Sequence, residues 1–117
     1  MVKIDWTARG LEIDDALQAR VEQQLQKLGR YLPGEAEAHA IVTAEGAAGS
    51  HPHTSVEVIV RHRLGTFTSK HESADMAEAM REVLGHLDTQ AHKAHDKFLQ
   101  ARRKGSGRAV AEPGETR

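Results

Sequence analysis

Between Val2 and Phe98 the apolar residues pass from a repeat of two to a helical repeat and do so twice, a rhythm that leaves few folds open. Val2, Ile4 and Trp6 alternate with Lys3, Asp5 and Thr7, as in a strand with one buried face. From Ile13 the steps become three and four through Leu17, Val21, Leu25, Leu28 and Leu32, which predicts an amphipathic helix. Asp14 is placed to cap it, Asp15 lies in its first turn, and the Pro33-Gly34 turn ends it near Tyr31. Ala36, Ala38, Ala40, Val42 and Ala44 alternate with bulkier or polar neighbours, giving a second strand whose small inner face lets a helix approach closely. GAAGSHPH, residues 46–53, reads as a connection. Val56, Val58 and Val60 mark a third strand, and Leu64-Gly65 reverses the chain into a short fourth one around Thr66 to His71. Ser73 is expected to cap a second helix with the stripe Ala77, Met80, Leu84, Leu87, Ala91, Ala94 and Phe98.

Each helix carries one apolar stripe, and each needs a sheet face to cover it. The arrangement this predicts is an α+β two-layer sandwich of order β-α-β-β-β-α, with two helices on one face of a four-stranded sheet. At 117 residues the chain suits one domain, expected over 1–104. Residues 105–117, GSGRAVAEPGETR, lack period and bulk and are expected to form a disordered tail.

Charge narrows the function. There is no cysteine, which excludes disulfides and thiolate metal sites and fits a reducing compartment, the cytoplasm by default. No cationic leader followed by an apolar run and no apolar stretch of about 18 residues occurs, so neither export nor a membrane span is expected. The formal charge is only −1, but residues 1–58 hold five Lys or Arg against nine acids and residues 59–117 eleven against eight. From Ala91 to Arg108 there are six basic residues and a single acid, Asp96, with His92 and His95 among them. Lys93 and Lys97 lie one helical turn apart and continue towards Arg102, Arg103 and Lys104, a surface suited to phosphate, where each contact releases counterions. Cations near a helix C-terminus also serve the helix dipole, and Lys27 and Arg30 alone could do no more than close the first helix.

Two other classes compete. His86, His92 and His95 could in principle hold a metal, yet no HExxH or matching carboxylate set accompanies them, and His51-Pro52-His53 reads as incidental. His62 and His71 are expected to face solvent or RNA. A protein-interaction adaptor could use the outer sheet face, where Ile41 and Ile59 point, although single exposed apolar residues are ordinary. Trp6, Met80 and Phe98 are expected in the core, which leaves no exposed aromatic stacking platform. No Ser/His/Asp signature or phosphate-cradling glycine motif occurs, so no enzyme, catalytic residue, cofactor or resident metal is expected.

LEIDDALQARVEQQLQKLGRYL (11–32) resembles the first helix of the ribosome hibernation-promoting factor family, the ribosome-associated translation inhibitors. SKHESADMAEAMREVLGHLDTQAHKAHDK (69–97) is similar to that family's fourth strand and second helix: a Lys-His-Glu turn, Asp75-Met76, Ala79-Met80, Leu87, Gln90, Lys93 and Lys97 stand at matching spacings. The resemblance spans about residues 1–104. It implies a fold close to a double-stranded-RNA-binding domain, and a factor that occupies the decoding region of the small ribosomal subunit on 16S ribosomal RNA. Such a factor blocks messenger and transfer RNA and protects idle ribosomes under starvation, with no cofactor and no small-molecule substrate. By position the RNA contacts fall on Lys27, Arg30, Lys93 and Lys97, joined by Arg102, Arg103 and Lys104, with Arg20, Arg81, His86 and His92 as secondary contacts. Gln24, His86 and Thr89 stand where relatives often carry Lys or Arg, and Arg81 where many carry an acid or Asn. Only 13 residues follow Lys104, so a short form without the family's ribosome-pairing module is expected.

Overall fold

The structure, a computed structural model, describes residues 1–46 and 52–107, with side chains as far as Arg102. The order is β1 (Val2–Arg9), α1 (Asp15–Lys27) continued by a 3₁₀ turn (Leu28–Arg30), β2 (Ala36–Glu45), β3 (His53–His62), β4 (Gly65–Ser73) and α2 (Met76–Gly107). The strands form one sheet in the order β1-β2-β3-β4, parallel between β1 and β2 and antiparallel elsewhere. The α+β sandwich expected from the periods is the fold observed.

The period-two residues make the core. Ala38, Ala40 and Val42 oppose Val60, Val58 and Val56, and Val60 in turn opposes Phe67. All are buried, together with Val21, Leu25 and Leu28 of the first helical segment and Val83, Leu87 and Ala91 of α2. The alanines of β2 present only methyl groups to this core. α2 lies over β3 and β4, while α1 packs on β1 and alongside α2. A helix of 32 residues spans about 48 Å, longer than any strand beneath it, which accounts for the molecule's long axis of 61 Å. The last turns of α2 therefore overhang the sheet. They carry Arg102 and the backbone of residues 103–107.

Several expectations change in detail. Asp14 caps α1 as predicted, accepting from the Leu17 N–H at 3.2 Å. In α2, Asp75 rather than Ser73 takes the cap: its Oδ1 accepts from the Ala77 N–H at 3.0 Å, while Ser73 Oγ accepts from the Asp75 N–H at 3.1 Å and shapes the preceding turn. The α2 stripe is centred on Ala79, Met80, Val83, Leu87 and Ala91; Ala77 and Leu84 are only half-buried because they face α1 rather than the sheet. Strands β3 and β4 are longer than expected, and His53 belongs to β3. Residues 47–51 of the connection, and 108–117 of the expected tail, lie outside the described residues.

Gln26 and His62 join parts of the chain far apart in sequence. Gln26 of α1 meets the edge of β1, accepting from the Val2 N–H at 3.1 Å and donating to the Val2 carbonyl at 2.7 Å. His62, expected to face solvent, is instead half-buried: its Nε2–H donates to the Pro33 carbonyl at 2.7 Å and its Nδ1 accepts from the Leu64 N–H at 3.1 Å. Gly34 (φ +88°) completes the turn that His62 holds, in a conformation side-chain-bearing residues rarely adopt. Trp6 is half-buried rather than fully in the core, because its Nε1–H reaches out to Glu22 Oε2 at 2.8 Å.

Candidate nucleic-acid interface

The outer sides of the two helices form a groove of about 530 Å³. Its α1 wall carries Arg20, Gln24, Lys27 and Arg30, residues at helical spacing just outside the buried Val21, Leu25 and Leu28. Arg81 stands on the α2 wall, and among the described residues Asp88 is the only acid lining the groove. Burial of one stripe thus sets the next stripe, four of whose members across the two walls are cationic, along an open channel.

Tyr31 follows Arg30, the last residue of the groove's α1 wall. Its ring lies 5.2 Å from that of His92 and 5.9 Å from that of His95, bridging the 3₁₀ turn to α2. The Arg30 guanidinium carbon stands 5.0 Å from the Tyr31 centroid, close enough for a cation–π contact that holds it in place. Sequence reasoning passed over Tyr31. The one available signal was an aromatic at the end of a helix next to a basic residue.

Lys93 and Lys97 occupy the opposite flank of α2. There they border a second hollow, between α2 and the β3–β4 turn, with Leu64, Phe67, Gln90, Ala94 and Phe98. Gln90 fixes this flank to the sheet by donating to the Thr68 carbonyl at 2.9 Å. His86 lies towards β4 as well, its Nδ1 3.2 Å from Ser69 Oγ. Arg102 stands over the Phe98 ring at 5.6 Å. The side chains of Arg103 and Lys104 lie outside the described ones, though the backbone places both residues on the overhanging end of α2. The sequence-predicted residues therefore fall into two patches: Arg20, Lys27, Arg30, Arg81 and His92 between the helices, and His86, Lys93, Lys97 and Arg102 beyond α2.

Among the described residues no Lys or Arg pairs with an Asp or Glu. The ion pairs that form are His53 with Glu45 and Glu72, at 3.1 and 3.4 Å, and His92 with Asp96, at 3.9 Å. The lysines and arginines of both patches thus have no acidic partner among the described residues, so they can meet anions without first breaking an ion pair.

The α2 histidines do not converge on one point: His92 and His95 turn to Tyr31 and His86 to Ser69. The acid–histidine group that does form among the described residues is elsewhere, at the outer end of the sheet, where ligand-capable atoms of Glu45, His53 and Glu72 lie within 4.8 Å of one another. Strand register explains it, since Glu45 and His53 are directly opposed and Glu72 lies on the next strand. Among the described residues no helix is long and apolar enough to cross a membrane.

Residues 4–98 match the family described as Sigma 54 modulation protein / S30EA ribosomal protein. The fold is similar to the N-terminal domain of Protein Y from Thermus thermophilus, at 29% identity and a TM-score of 0.68, covering 80% of this chain and 98% of that one. It is also similar to a ribosomal subunit interface protein from Coxiella burnetii, with a TM-score of 0.56 over 80% of this chain and 96% of the other; at 22% identity that likeness bears on the fold alone. Among curated proteins none matches significantly.

Proposed function

The chain belongs to the Sigma 54 modulation protein / S30EA ribosomal protein family, and from that premise we propose that it binds the small ribosomal subunit, on 16S ribosomal RNA in the decoding region. There it stands in the way of messenger and transfer RNA, inhibits translation, and keeps idle ribosomes intact under stress or in stationary phase. It works in the cytoplasm by occupancy, with no chemical step and no cofactor. The observation that carries this reading is the set of cations on both flanks of α2 and along α1 that have no internal acidic partner among the described residues. A surface of this kind binds phosphates through counterion release, without reading sequence, and a helical face with a cationic border suits folded RNA recognised by shape.

Lys93 and Lys97 are exposed and make no hydrogen bond or ion pair among the described residues, so changing them is expected to leave the fold intact. The double variant Lys93→Glu/Lys97→Glu is expected to keep the circular dichroism spectrum and melting temperature of the parent and to lose co-sedimentation with small subunits. A folded double variant that sediments as fully as the parent would refute the assignment of these two residues.

A further inference from the structure

The hollow beyond α2 has a different character from the groove between the helices. Its floor is apolar, built from Leu64 at the β3–β4 turn, Phe67, Ala94 and Phe98, and it encloses about 590 Å³. Phe67 is 8% exposed and forms part of the core, but Phe98, which the sequence stripe assigns to the interior, stays half-exposed because α2 is by then running past the sheet. The Arg63 and Arg102 guanidinium carbons lie 5.9 and 5.6 Å from the Phe98 centroid, one reaching from the turn and one from the overhanging helix. Lys93 and Lys97 complete the rim, and among the described residues no carboxylate lines the hollow.

Four cations near one aromatic ring and the hollow it lines, none paired with an acid among the described residues, repel one another unless an anion joins them. The apolar floor calls for a flat, weakly hydrated group, and the rim calls for negative charge on either side of it. A nucleotide supplies both, because its base has a π-face whatever its identity and its phosphates flank it. We propose that this hollow receives one unstacked base of the bound RNA, laid against Phe98, with the neighbouring phosphates held by Arg63, Lys93, Lys97 and Arg102. The inference rests on the ribosome-binding reading and deepens it: the two flanks of α2 then divide the work, the groove meeting RNA backbone and the hollow capturing a single base. The expectation that Phe98 lies in the core is replaced by a half-exposed ring.

The test separates π-stacking from charge. Phe98→Leu keeps apolar bulk and removes the aromatic face, and Phe98→Ala removes both; each is compared with the parent for small-subunit affinity across a salt series. Loss of one stacked base lowers affinity by about 5- to 140-fold and leaves the slope of log affinity against log salt unchanged. Phe98→Trp is expected to retain affinity and to show fluorescence quenching by a single-stranded oligoribonucleotide but not by its abasic counterpart of equal charge, with the parent as control for Trp6. Parent-like affinity of Phe98→Leu, in a protein that still loses binding through Lys93→Glu/Lys97→Glu, would overturn the base pocket and leave the ribosome reading standing. Failure of the parent itself to bind subunits would remove both. Quenching by an acidic peptide and not by the oligonucleotide would overturn the inference in favour of a protein partner.

Discussion

Replacing Gln26 tests whether a single side chain locks the sheet to α1. Strand β1 pairs only with β2, so the groups on its far side have no strand to bond. Gln26 takes that place for Val2, bonding both its N–H and its carbonyl at 3.1 and 2.7 Å, much as a neighbouring strand would. Val2 is 3% exposed, and both bonds are partly shielded from water. Each such bond contributes about 0.5–1.5 kcal/mol net, so Gln26→Ala is expected to cost about 1–3 kcal/mol. For a domain of this size each kcal/mol lowers the melting temperature by about 4–8 °C. Urea and thermal unfolding of the parent, Gln26→Ala, Gln26→Met and Gln26→Glu read the effect. Met keeps the stem and loses both bonds, so it should resemble Ala; Glu can accept from the N–H but sets a carboxylate against the carbonyl, so it should not rescue. Full stability of Gln26→Met would refute the hydrogen-bond account and assign the contact to packing. The outcome bears on function too, since Lys27 is the next residue along and inherits its position from this clasp.

Other perturbations probe the remaining parts. His62→Ala removes the bond that ties the end of β3 to the Pro33 carbonyl and the bond from the Leu64 N–H within the β3–β4 turn, and should cost about 1–3 kcal/mol in urea unfolding; His62→Phe, which fills the space without bonding, should not restore it. Arg20→Gln with Arg81→Gln removes a cation from each wall of the inter-helix groove, and if both meet phosphate the salt slope of subunit binding should fall by about 1.4–1.8, at 0.7–0.9 per contact. An unchanged slope would take the groove out of the interface.

The elements could be read from the sequence because each is announced locally. Alternation along Ala36 to Val42 and Val56 to Val60 identifies two central strands with one buried face, and Asp14 sits where the helical period begins. Contacts made over long separations could not be read this way. Gln26 and His62 look like solvated polar residues, and only their partners 24 and 29 positions away give them a role. The choice between Ser73 and Asp75 as cap turned on two residues that both suit the position, one of which shapes the turn before the helix. In α2 the stripe was drawn through the larger side chains Leu84 and Phe98, whereas the sheet takes Ala79 and Val83 and leaves Leu84 to face α1. Cations that count as one basic run along the chain separate in space for the same reason: the side of α2 on which α1 lies is a fact of packing, and it parts Arg81 and His92 from Lys93 and Lys97.

The most direct test of ribosome binding is sedimentation of the purified protein with separated ribosomal subunits at low and high salt, with and without messenger and transfer RNA. Co-sedimentation with the small subunit alone, weakened by salt and displaced by transfer RNA, is the predicted result. Absence of the protein from the small-subunit pellet at low salt would contradict the account.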